Sequence, residues 1–119
     1  MTSSRRWRLY RTAAGRSPVR DFFDALDDSD LAAVLAAMRE VADDGLVAAR
    51  HLRGDVYEVR VSGDRQAYRV LFANEGRRGQ ILLALEALSK KSQRTPRPNL
   101  ELAERRLREW RARGRLSHP

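Results

Sequence analysis

Glu58, Arg60 and Arg69 are the residues of this chain whose types and spacing best suit chemistry. Cutting RNA without a metal requires three things at one phosphodiester. These are a base for the attacking 2′-hydroxyl, fixed cations for the pentavalent phosphorane, and an acid for the departing 5′-oxygen. A carboxylate meets the first need. Arginine meets the second, because its planar fork matches phosphate oxygens and keeps its charge. Glu58 and Arg60 stand two residues apart in VYEVRV (56–61), so a strand projects both from one face, about 6.5–7 Å apart. Arg69, in the next segment RQAYRVLF, falls on that same face. Register decides whether the three converge. The competing reading is an ordinary ion pair on a solvated sheet face, which contributes little stability.

A basic loop, SKKSQRTP (89–96), follows the third strand pattern. Lys90, Lys91 and Arg94 could bind backbone phosphates or hold the general acid, and Ser92, Gln93 and Thr95 could add hydrogen bonds to phosphate or base edges. The alternative is a solvated charge run before a helix. Thr95 reads first as a helix cap. His51 is an accessory candidate, because it titrates near neutrality and lies just before the core strands; a loop role competes. His118 stands in the tail and reads as inert. With two separated histidines, no cysteine and no metal-spaced carboxylates, neither a metal nor a cofactor is expected. Tyr57 and Tyr68 alternate with the apolar face, and Trp110 lies on a helical stripe, so packing is their first reading. Tyr10 is either packed or exposed on an edge strand, where it could stack on a base.

These residues need elements to position them. Arg5–Arg11 alternates Trp7 and Leu9 with arginines, the period of a short edge strand. Ser17-Pro18 opens a helix to about Leu26. The cluster Asp27-Asp28-Ser29-Asp30 ends it and caps a second helix over about 30–44, whose stripe runs Leu31, Val34, Leu35, Met38, Val41 and Ala42. After Gly45 the period changes to that of strands. A short or irregular strand surrounds His51 and Leu52, and strands follow at 56–61, 66–73 and 80–88. A closing helix runs from Thr95-Pro96 to about Arg113, with Leu100, Ala103, Leu107 and Trp110 inward, and residues 114–119 are expected to fray. The order β-α-α-β-β-β-α predicts one α+β domain over residues 1–119. Its twisted, mainly antiparallel sheet has the early helices on one face, and the other face is partly open, holding Glu58, Arg60 and Arg69.

Composition fits one modest domain: 119 residues, 42% hydrophobic and 34% charged. The N-terminus has charge without the apolar run of a signal peptide, and no segment is apolar enough for a membrane span. The expected location is a reducing cytoplasm. Net charge is +8, unevenly spread. Residues 1–48 carry seven Lys/Arg against eight Asp/Glu, a balance of −1; residues 49–119 carry seventeen against eight, a balance of +9. A basic excess confined to the half with the strands and last helix implies a polyanionic partner, nucleic acid first. A solubilising surface is the alternative.

Three motifs in order carry a family resemblance. They are Val56-Tyr57-Glu58-Val59-Arg60, then Tyr68-Arg69-Val70, then Lys90-Lys91-Ser92-Gln93-Arg94-Thr95-Pro96. Together they resemble the RelE/HigB superfamily of bacterial toxins, most closely its phage-derived, HigB-like branch. The resemblance covers most of the chain and implies a RelE-like fold and a type II toxin–antitoxin toxin. Such a toxin is a metal-independent endoribonuclease that cuts messenger RNA on the ribosome and contacts ribosomal RNA. A cognate antitoxin, often a helix-turn-helix protein encoded nearby, would be its partner. By resemblance Arg60 and Arg69 are catalytic or phosphate-gripping, Glu58 is a base, and Lys90, Lys91 and Gln93 touch substrate. Members often carry His-Gly-Phe before the lysines, where this chain has Glu86-Ala87-Leu88. Proton transfer then passes to Glu58, Glu86 or a lysine. That departure keeps two other readings open: a catalytically weak or inactive nucleic-acid-binding module, and a basic protein that docks an acidic partner.

Overall fold

A computed structural model describes residues 5–89 and 94–117. Strand β1 (Arg6–Leu9) is followed by helices α1 (Pro18–Asp24) and α2 (Asp28–Asp44), and a 3-10 turn, Leu46–Ala48, leads into the other strands. These are β2 (Arg50–Arg53), β3 (Val56–Ser62), β4 (Ala67–Glu75) and β5 (Ile81–Ser89), and helix α3 (Arg97–Ser117) closes the chain. The irregular segment around His51 is thus a paired strand, and it adds a fifth member to the sheet. The strand order is β1-β5-β4-β3-β2. Strands β2 to β5 pair antiparallel with their sequence neighbours, and β1 lies parallel to β5. The fold is α+β and mainly antiparallel, as the periodicities imply.

Alternation sorts the side chains onto two apolar layers. Val59, Val61, Tyr68, Val70 and Phe72 face α1 and α2, where Val19, Phe23, Val34, Met38 and Val41 are buried. Val56, Leu71, Leu83, Leu85 and Leu88 face α3, where Ala103 and Leu107 are buried and Leu100 and Trp110 pack at the margin. The second face, expected to be partly open, is therefore largely covered by α3. A register shift in β5 makes this possible. Leu71 pairs with Glu86 while Phe72 pairs with Ala84, so Leu85 is an extra residue. Such a bulge brings two successive side chains toward the same side. Leu85 enters the α3 layer, and Glu86 meets α3 through Asn99 and Arg106.

The helix starts follow local chemistry. Asp27 caps α2, its carboxylate accepting the Asp30 backbone N–H at 2.8 Å. Gly45 ends α2 at a φ of +86°, a conformation that disfavours any Cβ. The start of α2 is also tied to the β3–β4 turn. Asp30 accepts from the Tyr68 hydroxyl and, at 3.1 Å, from the Asp64 N–H. Gly63 allows that approach, because a Cβ there would stand 2.7 Å from both Asp30 Oδ1 and the Tyr68 ring.

Candidate active site

Adjacent strands bring the three sequence-identified residues together. Arg60 pairs directly with Arg69 across β3 and β4, and Arg50 of β2 lies opposite Glu58. Like charges placed directly opposite each other repel. Glu58 offsets that repulsion by sitting among them. Its Oε1 accepts from Arg60 Nε at 2.7 Å, and its Oε2 lies 3.7 Å from Arg69 Nη1. Thr95 completes the cluster: its hydroxyl donates to Glu58 Oε2 and accepts from Arg69 Nη1 at 3.0 Å.

The open face expected for these residues is corrected at two of the three positions. The side chains of Glu58 and Arg69 are 0% and 4% exposed, whereas that of Arg60 keeps 33%. Burial beside α3 explains the difference, since Glu58 and Arg69 lie toward the sheet interior and Arg60 at its margin. Burial pushes the Arg69 guanidinium below its ordinary value, the neighbouring Glu58 opposes that shift, and Arg60 and Arg50 add to it. Buried charge is tolerated only when paired and hydrogen-bonded, and Glu58 and Thr95 supply both for Arg69.

The cluster forms one wall of a cleft of about 560 Å³ between β2, β3 and the start of α3. Arg50, Arg53, Arg60, Arg94 and Arg97 line it, with Leu52 and Leu100 as its apolar part. Arg53 and Arg97 are paired with Glu104 and Glu101 on α3. The cleft is thus a strongly cationic concavity with a buried carboxylate behind it. Such a site attracts a phosphodiester and can hold donors around a developing phosphorane.

Other sequence candidates fall elsewhere. His51 pairs with Tyr57, its ring 5.0 Å from the Tyr57 ring, and its Nε2 bonds the Gly54 carbonyl at 2.7 Å. Tyr57 packs against the α1/α2 layer, so His51 faces away from the cleft. Glu86 is held by Asn99 at 3.1 Å and Arg106 at 3.3 Å in a separate polar cluster under α3, and it does not line the cleft. Tyr10 is buried, its hydroxyl on Glu109 and the Arg106 and Arg113 guanidiniums each 5.4 Å from its ring, so it offers no exposed stacking face. Lys90, Lys91 and Gln93 lie outside the described residues. Among the described residues, no three carboxylate or imidazole groups converge as metal ligands would.

Arg50, Arg53 and Arg97 are cleft residues that the sequence does not single out, and Thr95 is one that it marks first as a cap and second as a hydrogen-bonding group. Thr95 looked like a cap, yet α3 begins at Arg97 and the Pro96 carbonyl accepts from Leu100 N–H, leaving the Thr95 hydroxyl to the cluster. Arg50 and Arg53 belong to a strand too short and irregular to show its faces. The pairing of Arg50 with Glu58 depends on the Gly54-Asp55 turn, and a register shift follows it.

The sequence, over most of its length, matches a known class. The model of the family described as phage derived protein Gp49-like (DUF891) matches residues 21–108. The chain belongs to that family, the HigB-like branch of the RelE/HigB toxins that its motifs resemble. Among curated proteins it is similar to the "Probable endoribonuclease HigB1" of Mycobacterium tuberculosis, in strains CDC 1551 / Oshkosh and ATCC 25618 / H37Rv. Each is 34% identical over 107 residues, spanning 87% of this chain and 83% of the relative.

Proposed function

We propose that this chain is the toxin of a type II toxin–antitoxin pair, an endoribonuclease that cuts messenger RNA without a metal. The carrying observation is the Glu58–Arg60–Arg69–Thr95 cluster set in the wall of an arginine-lined cleft. The likeness to relatives named as probable endoribonucleases supports it. The setting is the cytoplasm, and the message is bound on the ribosome, with the basic surface against ribosomal RNA. Among the described residues no helix is long and apolar enough to cross a membrane.

In the free protein Glu58 holds the two guanidiniums in place. A phosphate entering the cleft competes with Glu58 for Arg60, the more exposed partner. A carboxylate that loses a cationic neighbour becomes a better base. Glu58 then takes the 2′-hydroxyl proton as the oxygen attacks phosphorus, and Arg60 and Arg69 hold the phosphorane oxygens. The 5′-oxygen leaves with a proton from Lys90 or Lys91, since Glu86 is committed to α3. The products are a 2′,3′-cyclic phosphate and a 5′-hydroxyl. Arg94 and Gln93 position the strand.

One observation favours a second reading, a binding module without catalysis: the Glu58 side chain has no exposed surface. Expression in cells with and without an adjacent helix-turn-helix gene, followed by mapping of mRNA 5′ ends, separates the two. The toxin reading expects growth arrest and new 5′-hydroxyl ends, both relieved by the neighbouring gene. Binding without new ends supports the module.

A further inference from the structure

A second concavity lies away from the Glu58 cluster. It has a volume of about 820 Å³ and sits where β1, the start of α1 and the end of α3 meet. Arg8, Arg11, Arg20 and Arg113 line it, together with Trp110. Leu9, Ile81 and Leu83 form its apolar part.

The charges here differ from those of Arg53 and Arg97 in the first cleft. Arg53, Arg97, Arg106 and Arg111 each face a carboxylate in an ion pair. Among the described residues, the side chains of Arg8, Arg11 and Arg20 have no such partner. The fourth arginine is already placed: Arg113 donates to the Arg11 carbonyl at 2.6 Å and lies over the Tyr10 ring. Guanidiniums converging on one concavity without carboxylates repel each other, and a polyanion relieves that repulsion. The Ser17 hydroxyl, in the lining, is buried and has no hydrogen-bond partner among the described residues. Trp110 packs against the core beneath α3 and also borders the cavity, beside the apolar Ile81 and Leu83.

We propose that this second cleft binds a single-stranded RNA segment, with a base against Trp110 and flanking phosphates among Arg8, Arg11 and Arg20. A planar, apolar-faced group flanked by anions is what an aromatic side chain set among arginines recognises, and base–aromatic stacking tolerates any sequence. An acidic peptide would satisfy the arginines but would leave the aromatic and aliphatic surface without a flat partner. The volume also suits a nucleotide, since small-molecule sites run from roughly 300 to 1,000 Å³. The two clefts lie at opposite ends of α3. Arg97 borders the first and Arg113 the second, about 24 Å apart at 1.5 Å per helical residue. The second cleft would therefore grip RNA well away from the scissile phosphate. The inference rests on the reading that this chain engages RNA.

The test uses the full chain and a fluorescein-labelled single-stranded RNA of twelve nucleotides, followed by anisotropy across a range of salt. The Arg8→Ala/Arg20→Ala double variant should bind at least tenfold more weakly. Its slope of log K against log salt should be shallower by about 1.4, from two lost phosphate contacts at about 0.7 each. Trp110→Phe should lose the part of the intrinsic-fluorescence quench that RNA causes in the wild type. Thermal melts check that both variants are folded, and Trp110→Phe keeps an aromatic ring if the double variant is not. Wild-type affinity and slope in the double variant, with an unchanged quench in Trp110→Phe, would overturn this site alone. Loss of binding to an acidic peptide with RNA binding intact would assign the cleft to a protein partner and overturn it as well. A wild type that neither binds nor cleaves RNA would overturn the proposed function along with it.

Discussion

Glu58 and Arg60 were readable as a pair because strand alternation places residues two apart on one face, and Arg69 followed from the next strand's period. Burial was not readable, because it depends on α3 arriving over the sheet, a contact between residues far apart in sequence. That changes which variant is informative. Arg69→Ala removes a buried guanidinium from beside a buried carboxylate, and breaking such a pair typically costs about 3–5 kcal/mol. Arg60, one-third exposed, can be removed with less harm to the fold. Thr95 has the opposite history: its type suggested a cap, and only the start of α3 at Arg97 leaves its hydroxyl to the cluster. Thr95→Val keeps the shape but leaves Glu58 and Arg69 each short of a hydrogen bond. A loss of about 1–3 kcal/mol in urea unfolding is expected, and Thr95→Ser should recover most of it. Equal stability of the valine variant would mean that the hydroxyl holds nothing together. Among the described residues His51 hydrogen-bonds its own turn at Gly54, and it faces the α1/α2 side. His51→Ala should therefore cleave like the wild type, measured in the same single-turnover assay as the cleft variants.

At the scale of elements, the helix stripes and strand periods anticipated most of the architecture, with ends displaced by a few residues. Helix α1 stops at Asp24 rather than Leu26, because Ala25 and Leu26 turn back to the Phe22 and Phe23 carbonyls. Helix α3 continues beyond Arg113 to Ser117. The bulge at Leu85 was hidden, because a nearly continuous apolar strand shows no alternation to break. The pin between α2 and the β3–β4 turn makes an element-level prediction about pH. Tyr68 and the Asp64 N–H both donate to Asp30 and hold its carboxyl below the usual carboxylate range. The same bond pushes the Tyr68 phenol up to about 12. A depressed carboxyl contributes stability above its unfolded pKa of about 3.9 and loses it as pH falls through the folded value. A raised phenol contributes below its unfolded pKa of about 10 and loses it as pH rises toward its folded one. Urea unfolding should therefore show wild-type stability falling at both ends, below about pH 4 and above about pH 10. Asp30→Asn should flatten the acid limb. An acid limb of unchanged steepness in that variant would mean the pin does not act through ionisation.

Over the whole molecule, the +9 balance after residue 48 supplies all five arginines of the first concavity, whereas the second, toward the other end of α3, takes Arg113 from that half and Arg8, Arg11 and Arg20 from the half whose balance is −1. Composition revealed the excess but not its division, because the division depends on which arginines find carboxylates. Arg53, Arg97, Arg106 and Arg111 do, and those pairs remove part of the formal charge from the surface a polyanion meets. Binding to ribosomes or RNA should weaken steeply with salt, by about 0.7 counterion for each phosphate neutralised. A flat salt profile would reduce the charge to a matter of solubility. By the same reasoning, an acidic antitoxin segment should compete with RNA for the first cleft. Footprinting that leaves Arg60 and Arg94 exposed in the toxin–antitoxin complex would rule out direct occlusion. The central claim is that the Glu58 cluster cleaves RNA through Arg60. It is tested most directly by single-turnover cleavage of a message on a programmed ribosome in excess EDTA, comparing wild type, Arg60→Ala and Glu58→Gln, each shown to be folded. The wild type should cleave, Arg60→Ala should be slower by about 10²–10³-fold, and Glu58→Gln should lose about 10²–10⁴ in the chemical step with less effect on binding. Cleavage by both variants at the wild-type rate would contradict the account.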